Sequence, residues 1–145
     1  MSNSPLVDYV KISPNKSSPR NAAIDFITPH CTAAQCTIEA LGTLFSMPQP
    51  DGTSSNYGID RNGKIGMFVE ESDRAWTSSS RWNDNRAVTI ECASEAVQPY
   101  TMNDIVYDKL IELCADICRR NGKKRLIWIS DKERALSYEI GRAHV

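Results

Sequence analysis

Apolar residues recur along the chain with two different periods, and the switches between them outline the fold. Ile24, Phe26 and Ile27 form a β-branched and aromatic run that predicts a strand at about Ala23 to Thr28, closed by Pro29, which has no ladder donor. Ala34, Ile38, Leu41 and Phe45 then share one helical face, so a helix follows and ends before Met47-Pro48. A loop rich in Pro, Gly and Ser leads to Ser55. Tyr57-Gly-Ile59 and Lys64 to Val69 flank Arg61-Asn-Gly63, a hairpin signal because Asn-Gly tolerates the positive φ of tight turns.

Residues 71 to 86 show little periodicity and read as a long polar loop carrying Trp76 and Trp82, just as the proline-punctuated stretch 13 to 22 reads as a loop. Ala87 to Ala93 alternates as a strand. Val106, Leu110, Leu113 and Ile117 mark the buried stripe of a long helix over 101 to 121. Thr101 to Asp104 suggests a capping box at its start, and Asn121-Gly122 a left-handed stop at its end. Leu126 to Ile129 predicts a last strand. Strand, helix, hairpin, strand, helix, strand is the order of an α/β domain with a mixed central β-sheet and packed α-helices.

Composition narrows the function without naming it. The 145 residues suit one domain, and 41% hydrophobic content can form a core. Seventeen basic against eighteen acidic residues give no electrostatic reason to expect nucleic acid or a membrane as partner. The start, Met1-Ser-Asn-Ser-Pro5, has neither a basic stretch nor an apolar run, so synthesis in the cytoplasm without a signal peptide is expected. The five cysteines are odd in number and lack C-x-x-C spacing, which argues against a disulfide framework or zinc knuckle.

Two residues carry candidate chemistry. Glu91 shares a face with Thr89 on an otherwise apolar strand, and His30 stands just beyond a strand end. By spacing alone, Glu91 is either a solvent-facing residue on an open sheet face or a cleft carboxylate acting as general base. His30 is either a hydrogen-bonded structural histidine or a zinc donor.

The segment Ile27-Thr-Pro-His30-Cys-Thr-Ala-Ala34 resembles the first zinc-ligand motif of the type 2 amidases, the amidase/peptidoglycan-recognition family. Ser54 to Val69 resembles that family's hairpin, Glu70 to Trp76 its acidic-to-Arg-Ala-Trp segment, and Asn83 to Glu91 its Glu-bearing strand. Four motifs in order give a specific match, closest in character to lysins of phages and prophages of Gram-positive bacteria. The resemblance implies zinc-dependent hydrolysis of the amide between N-acetylmuramic acid and L-alanine in peptidoglycan, with action at the bacterial cell wall by a monomer. It implies Zn2+ as cofactor, His30 as first metal ligand and Glu91 as catalytic base. Trp76, Trp82 and Asn85 become substrate-binding candidates, with ordinary loop packing as the other reading of the tryptophans. A non-catalytic peptidoglycan-binding module, or an inactive truncated fragment, is the alternative function.

The family's later ligands, a second histidine and a late Cys or Asp, have no clear counterpart. His144 is the only other histidine, Asp131 the only later Asp, and no Cys follows Cys118. Ile140-Gly-Arg-Ala-His-Val145 back-translates to the opening of a sequencing-library adapter. The expectation is therefore an amidase domain over 1–139 lacking its C-terminal part, followed by a non-native tail at 140–145. A divergent natural terminus is the alternative.

Overall fold

The computed structural model describes residues 2–48, 50 and 52–134. Among them seven strands and three helices follow in the order β1 (Tyr9–Val10), β2 (Lys16–Ser17), β3 (Phe26–Cys31), α1 (Ile38–Leu44), β4 (Tyr57–Ile59), β5 (Ile65–Met67), β6 (Arg74–Ala75), α2 (Arg81–Arg86), β7 (Ala87–Cys92) and α3 (Asp104–Arg120). Five strands form one mixed sheet in the order β1-β5-β4-β7-β3, and β2 pairs with β6 in a separate ribbon. β4 and β5 make the antiparallel hairpin that Asn62-Gly63 announces, while β3 and β4 both run parallel to β7.

The two longer helices, α3 and α1, cover opposite faces of the sheet. α3 turns Val106, Leu113 and Ile117 into a core with Tyr57, Ile59, Val88, Ile90 and Cys92. α1 packs Ile38, Leu41 and Phe45 around Phe68 on the other side. It can sit close because Gly58 and Gly66 pair beneath it. A Cβ on Gly66 would lie 2.6 Å from Ile38 Cδ1, and one on Gly58 would lie 2.9 Å from Leu41 Cδ1.

Several local expectations are corrected by long-range packing. β3 does not stop at Pro29. It runs on to Cys31 with Pro29 paired to Ile90, because β3 is the sheet edge, where the loss of one proline donor is tolerated. α1 starts at Ile38, where Thr37 caps it by accepting from the Ala40 amide, later than the helical pattern from Ala34 suggests. Asn103, accepting from the Val106 amide, caps α3 in place of the proposed box.

The stretch 71–86 is not irregular throughout. It contains β6, which pairs with β2 inside the expected 13–22 loop, and α2, capped by Ser80. Leu126 to Ile129 forms no strand, and Leu126, Ile127 and Trp128 are exposed. Apolar alternation is not enough for a strand when no neighbouring backbone pairs with it.

What holds the 71–87 segment in place is Arg20, which is nearly fully buried. Its guanidinium donates to the carbonyls of Glu71, Asp73, Asp84, Asn85 and Ala87 at 2.6–3.5 Å. Burial lowers its pKa, against the raising influence of Glu71, Asp73 and Asp84. The arginine thereby supplies donors to a run of loop backbone that has few ladder partners.

Candidate active site

Period-two alternation decides which side chains of β3 and β7 share a surface. Val88, Ile90 and Cys92 enter the α3 core, so Thr89 and Glu91 point to the opposite face. On β3 the corresponding set is Phe26, Thr28 and His30, in register with Ala87, Thr89 and Glu91. Each of the three meets a polar or aromatic partner. The Phe26 and Trp82 ring centroids lie 5.6 Å apart, Thr28 Oγ1 is 3.3 Å from Asn83 Oδ1, and His30 Nδ1 is 3.4 Å from Glu91 Oε1.

His30 and Glu91, far apart in sequence, are thus direct neighbours, both partly open to solvent, with side-chain exposures of 32% and 16%. The His30 pKa is raised, first because the Glu91 carboxylate accepts its hydrogen bond. Partial burial pulls the other way, and the charges of Glu91 and Asp84 add to the rise.

Toward the start of β7 the face continues through hydroxyl groups. Thr89 Oγ1 contacts Thr77 Oγ1 at 2.9 Å; Thr77 also donates to the Ser54 carbonyl, and Thr89 accepts from the Ser55 hydroxyl and the Asn56 amide. Beyond Thr77 opens a cleft of about 450 Å3 whose lining includes Arg74, Trp76, Thr77, Arg81 and Asp84. Trp76 is half-buried, with its indole N–H donating to Ser17 Oγ at 2.9 Å. Trp82 lies under the Arg86 guanidinium, 4.5 Å from the ring centroid, and stays 37% exposed. Asn85 is engaged at both ends of its amide, accepting from the Asn21 N–H and donating to the Arg81 carbonyl.

Sequence reading passed over Asp84. Its carboxylate accepts from the Thr77 and Ser78 amides and the Ser78 hydroxyl, which shapes the cleft rim. The available signal was the Ser78-Ser-Ser80 run before Arg81, a capping pattern for the short helix that bears Asp84.

The pattern of N-acetylmuramoyl-L-alanine amidases matches residues 20–134, most of the chain. The chain belongs to the N-acetylmuramoyl-L-alanine amidase family. No curated protein sequence matches it. Among solved structures it is similar to AmpD, with a TM-score of 0.63 and 16% identity over 82% of this chain and 77% of that one. It is also similar to a mutant endolysin from Bacillus subtilis, with a TM-score of 0.62 and 17% identity over 81% of this chain and 79% of that one. A Drosophila peptidoglycan recognition protein, PGRP-SA, gives 0.59 and 13% over 80% and 75%. At these identities the likeness establishes the amidase/peptidoglycan-recognition fold with its mixed sheet and flanking helices.

Among the described residues no three His, Cys, Asp or Glu side chains are grouped so as to hold a metal ion. Cys36 is half-buried, and burial pushes its thiol pKa up. His144 and the rest of 140–145 lie outside the described residues.

The His30–Glu91 contact makes a prediction for the metal-free chain. A histidine whose folded pKa is raised stabilises the fold below its unfolded value near 6.5, and that contribution fades as pH rises through the folded value. Glu91→Gln should lower the His30 titration midpoint, as read from imidazole NMR shifts. A midpoint unmoved by the substitution would mean that the carboxylate is not the partner.

Proposed function

We propose that the chain is a peptidoglycan amidase domain, extending over residues 1–139, with Glu91 as its catalytic carboxylate. The reading is carried by the in-register pair of His30 and Glu91 on a partly open polar face beside a cleft. Amide hydrolysis needs a water that gives up a proton as it attacks, and a carboxylate that keeps 16% of its side chain open to solvent is suited to receive it. The bond cut would be the amide between N-acetylmuramic acid and L-alanine. Trp76 and Trp82 would offer aromatic surface to sugar rings, and Asn85 would support the same wall. A phage or prophage lysin acting on the bacterial wall fits this assignment.

Zinc is the cofactor the family pattern implies, with His30 as first donor. A catalytic zinc takes three protein ligands. The described residues contribute one histidine and no grouped set, so they do not by themselves fit the ion. The same observation favours a second reading, a module that binds peptidoglycan without cutting it.

One experiment separates the two. The purified chain is assayed for bound zinc, for co-sedimentation with cell walls and for newly freed L-alanine amino groups. Weak zinc binding and little release are expected, with His144→Ala changing neither. Tight stoichiometric zinc, together with release that falls about 10²–10⁴-fold in Glu91→Gln, would establish a complete amidase within this chain. Sedimentation with walls but no Glu91-dependent release, even with excess zinc added, supports the binding module. Failure to bind walls at all would overturn both readings.

A further inference from the structure

The net charge near zero hides an uneven distribution. Arg119-Arg-Asn-Gly-Lys-Lys-Arg125 sets five basic residues in seven positions at the end of α3. Arg120 is engaged by Glu71 and Asp116, and Lys123 reaches Asp25 at 3.5 Å. Arg119, Lys124 and Arg125 form no ion pair among the described residues.

These cations rim an apolar groove of about 600 Å3 between the outer side of α3 and the segment that follows it, with Tyr107, Ile111, Leu126 and Trp128 in its wall. Trp128 is 87% exposed, and Leu126, Tyr107 and Ile111 are each more than half exposed. Single exposed apolar residues are ordinary, but a contiguous groove of them beside unpaired cations marks a surface built to meet something.

We propose that this face docks on an anionic phospholipid surface. Charge complementarity selects the partner. Guanidinium and ammonium groups meet lipid phosphates, Trp128 and Tyr107 suit the headgroup level, and Leu126 and Ile111 reach the acyl boundary. Attachment is peripheral, since no helix among the described residues is long and apolar enough to cross a membrane. α3 covers the sheet face opposite the one bearing His30 and Glu91, so a docked chain leaves that pair facing away from the lipid. The inference is independent of any peptidoglycan activity.

The test is sedimentation of the full chain with mixed phosphatidylcholine–phosphatidylglycerol vesicles and with pure phosphatidylcholine vesicles. Binding to the mixed vesicles should weaken with added salt. Lys124→Gln and Arg125→Gln should each lower it by about fivefold, and Trp128→Ser should lower it further. These positions are exposed, so circular dichroism should match the parent chain. Equal binding to both vesicle types would overturn the proposal. So would concentration-dependent dimerisation without vesicle binding, which would seat a second copy in the groove. Strong hydrogen-exchange protection of residues 126–128 in the free monomer would overturn it too, because the chain itself would then fill the site.

Discussion

Replacing Arg20 by methionine is expected to cost the fold roughly 3–5 kcal/mol, several times the ~1 kcal/mol of one neutral hydrogen bond. The substitution roughly preserves the length of the side chain but removes every donor. The carbonyls of Glu71, Asp73, Asp84, Asn85 and Ala87 would lose their shared partner at once. Four of these bonds lie in a burial environment that water reaches poorly, so the loss is not offset by hydration. The measurement is a urea unfolding curve, with a lowered midpoint. Arg20→Lys should recover only part of the loss, since an ammonium cannot serve carbonyls spread around a planar fork. A lysine variant as stable as the parent would refute this account of the 71–87 segment.

Removing Glu71 should be comparably severe. Its buried carboxylate accepts from the Tyr57 hydroxyl at 2.6 Å and takes two bonds from Arg120, at 2.6 and 3.1 Å. Burial, chiefly, and then the Glu71 charge raise the Tyr57 pKa. The hydrogen bonds of Arg120 to Glu71 and Asp116 keep that guanidinium firmly protonated against the cost of its desolvation. Glu71→Ala would leave Tyr57 without an acceptor and Arg120 with a single carboxylate, for an expected loss of roughly 3–5 kcal/mol. The informative comparison is the double variant Glu71→Leu with Arg120→Met. It should be less destabilised than the sum of the two singles, because neither partner is then left buried and unpaired. Strict additivity in thermal or urea unfolding would mean that the two side chains do not act as a pair.

Legibility in the sequence followed contact range. The end of α3 could be read almost to the residue because its stripe and its Asn-Gly stop are local signals, while its start lies three residues later than expected. The β4–β5 hairpin and β7 were equally plain, since a turn dipeptide and a period of two need no partner to be seen. The short β2–β6 ribbon was not legible. Strands of two residues carry no periodicity, and only their mutual pairing makes them strands.

The candidate site divides the same way. His30 and Glu91 could be singled out from motifs, and alternation on β7 already set Glu91 apart from the apolar face. That the two are cross-strand neighbours depends on β3 running through Pro29 to the sheet edge, in register with β7, which local rules argued against. Arg20 gained its role from backbone groups more than fifty residues away, so nothing near it revealed that role, whereas the only local sign of Asp84 was the serine run that caps its helix. By itself, then, the sequence determined the major elements, the fold class and the identity of the two chemically distinctive side chains, because those follow from periodicity, turn chemistry and motif. Tertiary structure alone decided register, which polar groups are buried, and why apolar Leu126 to Ile129 stays unpaired, because each depends on which backbone lies alongside.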